Sequence, residues 1–208
     1  MKNNIRLKSL ISISLLIFVL PFLQTCSDKT LKSSPRYEGE FTGFIEDSVN
    51  FKIVYNKETN SNDTLRNLIA VSKSEKEKII KKEKADKEIW LKNARKENTL
   101  NAYSLGFLNY AEFEFRFLTD KTFYIFLNFT IIILLTITML IMSFRKRFKQ
   151  IMIISSINLL LLLIATFLLY LIEVIEDFNQ IKYGYYLFVL NSILIIIESR
   201  KKLKKQTE

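Results

Sequence analysis

Side chains able to do chemistry are few in kind and scattered along the chain. There is no histidine, a single cysteine (Cys26), and four glycines (Gly39, Gly43, Gly106, Gly184) that never cluster. A Ser-His or Cys-His nucleophile, a histidine-based metal site and a glycine-rich phosphate loop are therefore all unavailable. General acid–base work would fall to the carboxylate pairs Glu38/Glu40, Glu46/Asp47 and Glu112/Glu114. Charged strand faces and turns carry the same pairs for solubility, and nothing else in their neighbourhood supplies a partner for proton transfer. The expectation is a protein without catalytic residues, cofactor or metal.

A second group of polar residues says more. Asn128, Asn158 and Asn191 each sit inside a long apolar run, with Thr136, Ser155, Ser156 and Ser192 nearby. An amide in hydrocarbon is costly unless its donors and acceptor are met. Such residues are expected to face other helices and to hydrogen-bond across them, for ~0.6–2 kcal/mol each. The alternative is a polar seam lining a water-filled path in an oligomer.

The runs that hold these asparagines organise the rest. Residues 122–143 (TFYIFLNFTIIILLTITMLIMS) and 151–172 (IMIISSINLLLLLIATFLLYLI) contain no charge. Each exceeds the roughly 20 residues needed to cross ~30 Å of hydrocarbon at 1.5 Å per residue. A third run, 183–198, is shorter and reaches span length with Lys182 and Glu198 snorkelling at its two ends.

Charge sets the expected orientation. The loop 144–150 carries Arg145, Lys146, Arg147 and Lys149, and the tail 200–208 opens with RKKLKK, whereas the loop 173–182 holds Glu173, Glu176 and Asp177 against one lysine. By the positive-inside rule the basic segments are cytoplasmic and the acidic loop lies across the membrane. Lys121 and the residues before it then lie outside, which requires an export signal. Residues 1–26 supply one, with Lys2, Arg6 and Lys8 ahead of the apolar run 10–20 and then Pro21. Leu23-Gln24-Thr25-Cys26 resembles a bacterial lipobox, departing from it at Gln24 and Thr25, where small residues are preferred. That resemblance makes Cys26 a lipidation site and new N-terminus; the other reading is an uncleaved first span ending in an ordinary thiol. The lone cysteine rules out an internal disulfide framework.

Between 27 and 121 the patterning changes. Residues 27–34 read as a polar tether. Period-two alternation over 37–44 and 51–55, with Glu46-Asp47-Ser48 between, predicts a hairpin, and 112–118 (EFEFRFL) reads as a third strand or as an aromatic belt where the chain meets the membrane. Residues 58–63 read as a turn and cap cluster with Asp63 as N-cap, and 64–97 as one long charged helix supported by the i,i+4 pairs Glu77/Lys81, Glu83/Lys87 and Glu88/Lys92. Trp90 and Leu91 are the candidate anchors for a partner. Lys76, Glu83 and Asp86 interrupt the heptad seam a coiled coil needs. Tyr103, Phe107 and Tyr110 suggest a turn at the membrane interface.

The chain thus reads as an α-helical multi-pass membrane protein with four spans before any processing. Its divisions are 1–26 (signal anchor or first span), 27–121 (exported α+β domain containing helix 64–97), 122–199 (three spans) and 200–208 (basic tail). Of the 208 residues, 31 are Lys or Arg, giving a net charge of +10. Much of that excess sits in the cytoplasmic flanks, where it fits anionic lipid rather than nucleic acid. The four spans 10–25, 122–143, 151–172 and 183–199 resemble in layout the small accessory membrane proteins of type VI-B CRISPR systems. That resemblance implies a non-enzymatic inner-membrane role modulating an RNA-guided RNase in antiviral defence. Immunity proteins against membrane-active toxins share the outline, and an oligomeric pore is the remaining class. The expected partners are membrane lipids, an unidentified protein, and further copies of the chain.

Overall fold

The computed structural model describes residues 5–34, 37, 52–56, 61–65, 73–107 and 121–207. In chain order the elements are α1 (Ile5–Ile17), β1 (Pro21–Gln24), α2 (Asp28–Lys32), β2 (Lys52–Asn56), β3 (Ser61–Leu65), α3 (Lys73–Glu97), β4 (Thr99–Asn101), α4 (Ala102–Phe107), α5 (Lys121–Phe144), α6 (Phe148–Leu171), a 3-10 turn at Phe178–Gln180, and α7 (Tyr183–Thr207). They form two compact units, one of Met1–Ser27 with Asn98–Glu208 and one of Asp28–Glu97.

The first unit is a helical bundle. Two of its helices, over Thr122–Phe144 and Phe148–Leu171, are long and apolar enough to cross a bilayer. Lys149, at the start of the second helix, is the one charged residue in these two segments, and a tight basic turn with Lys146 in the left-handed region (φ 56°) folds α6 back on α5. α7 follows α6 through the loop 172–182 and also lies against it. α1 packs on both α5 and α7. The 13 residues of α1 rise only about 20 Å. The chain then turns and continues as an extended strand, where Pro21 blocks further helix. The first apolar run is therefore helix plus strand rather than one straight helix. α7 keeps its helix through the basic stretch Arg200–Lys205, so the segment read as a tail continues the third apolar run.

Two apolar cores stack along the bundle. One brings Phe18, Phe22, Phe129, Leu162, Leu169 and Phe188 together, and the other Leu7, Ile11, Met139, Phe148, Ile151 and Ile195. Aromatic edges hold the first, with Phe18 and Phe188 centroids 4.8 Å apart and Tyr103 edge-on to Phe18 at 5.8 Å. Large apolar side chains also cover the outside: Leu16, Leu134, Leu163, Phe167, Leu190 and Leu194 are all exposed. Interior polar groups and an apolar exterior reverse the usual arrangement of a water-soluble bundle.

The end of the bundle away from the basic turn is closed by β1 and β4, paired antiparallel as Pro21↔Asn101, Leu23↔Leu100 and Gln24↔Thr99 with a bulge after Pro21. The start of α7 lies directly beneath. A Cβ on Gly184 would stand 2.6 Å from the Pro21 carbonyl oxygen and 3.0 Å from the Phe22 ring. Because that neighbour is backbone, Gly184→Ala is expected to push α7 off β1 and cost about 1–3 kcal/mol, read as a lower melting temperature in detergent.

The second unit differs from the pattern read in the sequence. β2 falls where a strand is expected, but its partner is β3, in the register Lys52↔Leu65 to Asn56↔Ser61. Residues 61–65 are thus a strand, not a turn and helix start, and Asp63 pairs opposite Val54 instead of capping a helix. The alternation Asn62, Thr64 against Asp63, Leu65 suits a two-stranded ribbon, and the run of strong helix formers begins only at Lys73. Residues 27–34 are not a plain tether: α2 occupies Asp28–Lys32 and packs on α3. Arg95 grips the Asp28 carboxylate with two donors, Nε at 2.8 Å and Nη2. Both side chains are nearly half exposed, which limits that pair to under about 1 kcal/mol. Tyr37 lies in a helical turn, its N–H donating to Ser34; the rest of the expected strand 38–44, the strand 112–118 and Tyr110 lie outside the described residues.

Candidate functional site: a polar seam and a basic end

Within α1, α5, α6 and α7, three helix pairs are joined by polar side chains among the described residues, and two of them use predicted asparagines. Asn191, on α7, donates through Nδ2 to the Leu10 carbonyl and to Ser14 Oγ, both at 2.8 Å, fastening α7 to α1. Asn158, on α6, donates to Thr136 Oγ1 at 3.1 Å, and Thr136 passes its own proton to the Ile132 carbonyl at 2.8 Å, joining α6 to α5. Ser155 Oγ donates to the Ser192 carbonyl at 3.1 Å, joining α6 to α7. Asn158, Thr136, Ser155 and Ser192 are fully buried, as is Ser14. Asn158 Oδ1 and Ser192 Oγ have no hydrogen-bond partner among the described residues. Asn128 does not join this seam. Its amide donates to the Tyr124 and Ile125 carbonyls of its own helix, at 3.0 and 3.4 Å. It lies half-buried about two turns into α5, where back-bonding satisfies its amide donors.

Outward-facing hydroxyls follow the same rule. Thr138 donates to Leu134 and Ser156 to Met152, each four residues back. Back-bonding is not confined to the outside: the buried Thr136 and Ser143 hydroxyls also donate to carbonyls of their own helix.

Cys26 is half-buried and its thiol is free. The segment before it is built into the fold. Phe22, Leu23 and Gln24 are buried, the Lys182 N–H donates to the Phe22 carbonyl at 3.0 Å, and Gln24 Nε2 donates to the Cys26 carbonyl at 2.6 Å. Next to it Ser27 Oγ donates to Glu176 at 2.8 Å.

Sequence reasoning missed the residue that ties this end together. Gln180 is 2% exposed, and its Oε1 accepts the Glu176 and Asp177 N–H groups at 2.7 and 2.9 Å. Its Nε2 donates to the Gln24 and Val174 carbonyls at 3.0 and 2.8 Å. A glutamine in an acidic loop carries no mark of burial, so only the signal Asp177-x-x-Gln180, a capping spacing, hinted at it.

In the second unit, Leu91 is buried and Trp90 half-buried, the indole 5.6 Å from the Tyr37 ring. Both proposed anchors are engaged with their own unit. Among the described residues, no set of three carboxylates or thiols stands together as a metal would need.

The opposite end of the bundle is predominantly basic, with Glu198 a carboxylate there paired with Lys201. Lys8 Nζ lies 4.0 Å over the Phe144 ring and Lys202 Nζ 5.6 Å over the Phe148 ring, which brings the start of α1, the α5–α6 turn and the end of α7 together. Burial lowers the Lys202 pKa, with Glu198 opposing that shift and Lys205 adding to it. A shallow cavity of about 280 Å³ opens here, lined by Lys146, Arg147, Phe148, Lys149, Gln150 and Leu203. The chain was compared with family models, curated proteins and solved structures, and nothing matches it in any of the three.

Proposed function

We propose that this chain is a non-enzymatic inner-membrane accessory protein. In this reading it has four spans, with both termini cytoplasmic and residues 27–121 outside. The observation that carries the reading is the sorting of charge by bundle end. Arg6 and Lys8, Arg145 to Lys149, and Arg200 to Lys205 meet at one end, while Glu176 and Asp177 occupy the other. α1, α5, α6 and α7 alternate in direction between them. The positive-inside rule turns that polarity into an orientation. Outward hydroxyls that bond only to their own helix suit contact with lipid, where no water is present to take them up.

The accessory role rests on the residue inventory and on the layout shared with the type VI-B CRISPR accessory proteins, which makes an RNA-guided RNase the partner class. The seam supports helix–helix fastening over conduction, since the Asn158, Asn191 and Ser155 side chains donate to partners in the same chain. Reporter fusions test the topology. A fluorescent protein after residue 148 is expected to light up, and alkaline phosphatase after residue 178 to be active; the reverse pattern sinks the reading. RNA cleavage by such an RNase, compared with and without this chain, tests the partner class.

A further inference from the structure

We propose that the cavity at the basic end is a binding site for one anionic phospholipid of the cytoplasmic leaflet, its phosphate held by Lys146, Arg147 and Lys149. This deepens the membrane reading above and rests on it. Three cations and no carboxylate line the cavity, so its field is of one sign and selects an anion. The remaining walls are the Phe148 ring, Leu203 and the Gln150 amide. A site made for a free anion would be polar all round, whereas this one offers an apolar wall beside its cations, as an amphiphile requires. The exterior of the bundle carries exposed apolar side chains such as Leu134, Leu163 and Leu194, along which acyl chains can run while the headgroup stays at the charged end. The volume, on the order of nine waters at ~30 Å³ each, exceeds that of a bare ion and admits a phosphodiester with its glycerol. Because the walls come from both the α5–α6 turn and α7, a lipid seated here bridges two elements that otherwise meet through side chains alone. It therefore acts as a clamp on that end of the bundle.

Native mass spectrometry of the full chain, released from mixed micelles containing equal phosphatidylglycerol and phosphatidylcholine of the same tails, tests the proposal. Retention of phosphatidylglycerol at least about tenfold over phosphatidylcholine is expected. The combined variant Lys146→Gln, Arg147→Gln, Lys149→Gln should lose that preference. A charge-matched control, Lys201→Gln, Lys204→Gln, Lys205→Gln, removes the same charge from the same end without touching the cavity and should keep it. Equal loss in both variants, or no preference in the native chain, overturns the site. Displacement of the lipid by millimolar inorganic phosphate also overturns it, by showing that a free anion suffices. Identical melting curves for the two variants in detergent exclude misfolding as the cause, and Lys149→Gln alone, with an expected partial loss, serves if the triple variant melts early. Since the measurement is made in micelles, it can fail while the reporter fusions succeed, and the two readings are separable.

Discussion

Removing residues 1–25 is expected to abolish the folded bundle rather than trim it. α1 and β1 bury Leu7, Ile11, Ile17, Phe18, Phe22 and Leu23, all at 7% exposure or less. At about 1.5–3 kcal/mol for each fully buried apolar side chain, six of them amount to on the order of 10 kcal/mol, comparable with the whole stability of an ordinary domain. In hydrocarbon the gain comes from close packing instead of from leaving water, but the same side chains supply it. The Asn191 amide would lose both of its acceptors, and the Lys182 N–H would lose the Phe22 carbonyl. Size-exclusion profiles in mild detergent should pass from a single peak to aggregate; a truncated chain eluting as a sharp peak with the native melting temperature would refute this expectation. Processing at a lipobox before Cys26 would remove the same segment. An N-terminal epitope is therefore expected to persist on the membrane-extracted protein, with its mobility unchanged by Cys26→Ser.

Gln180→Ala is expected to be a severely damaging substitution. It strips four hydrogen bonds from a side chain that is 2% exposed and leaves the Glu176 and Asp177 N–H groups and the Gln24 and Val174 carbonyls without that partner. At about 1–3 kcal/mol for each buried group left unsatisfied, and with water reaching some of them, a loss of roughly 3–5 kcal/mol is expected. Gln180→Glu separates the two halves of the side chain. The carboxylate still accepts from the two N–H groups but no longer donates to the two carbonyls, so its melting temperature should fall between the native and alanine proteins. A Glu variant as damaged as Ala would mean that shape, not donor direction, decides the site.

Where α5 and α6 run was legible because a long apolar run without charge or breaker allows few alternatives. Residues 122–143 and 151–172 had no charge to place and no breaker to end them, and the basic turn between them marked the reversal. The contents of the seam were half legible. Asn158 and Asn191 were visible as amides in apolar runs, but which way Asn128 faced depends on the rotation of α5, and no periodicity in a uniformly apolar helix records that. The strand pairing was misread for a related reason. Short polar strands such as 61–65 carry little hydrophobic alternation, so cap-like residues (Asn62, Asp63, Thr64) outweighed it. Gln180 was invisible because its burial is imposed by β1, some 156 positions away in sequence.

The pairing of β1 with β4 has a consequence for how this chain can vary. Thr25 donates its N–H to the Asn98 carbonyl at 2.9 Å, so the 70 residues of Asp28–Glu97 depart from and rejoin the bundle through a single doorway. A cassette bounded in this way can be lengthened, shortened or exchanged for another without shifting the scaffold that carries it. The helical bundle and the module inserted in it are thus free to follow separate evolutionary histories.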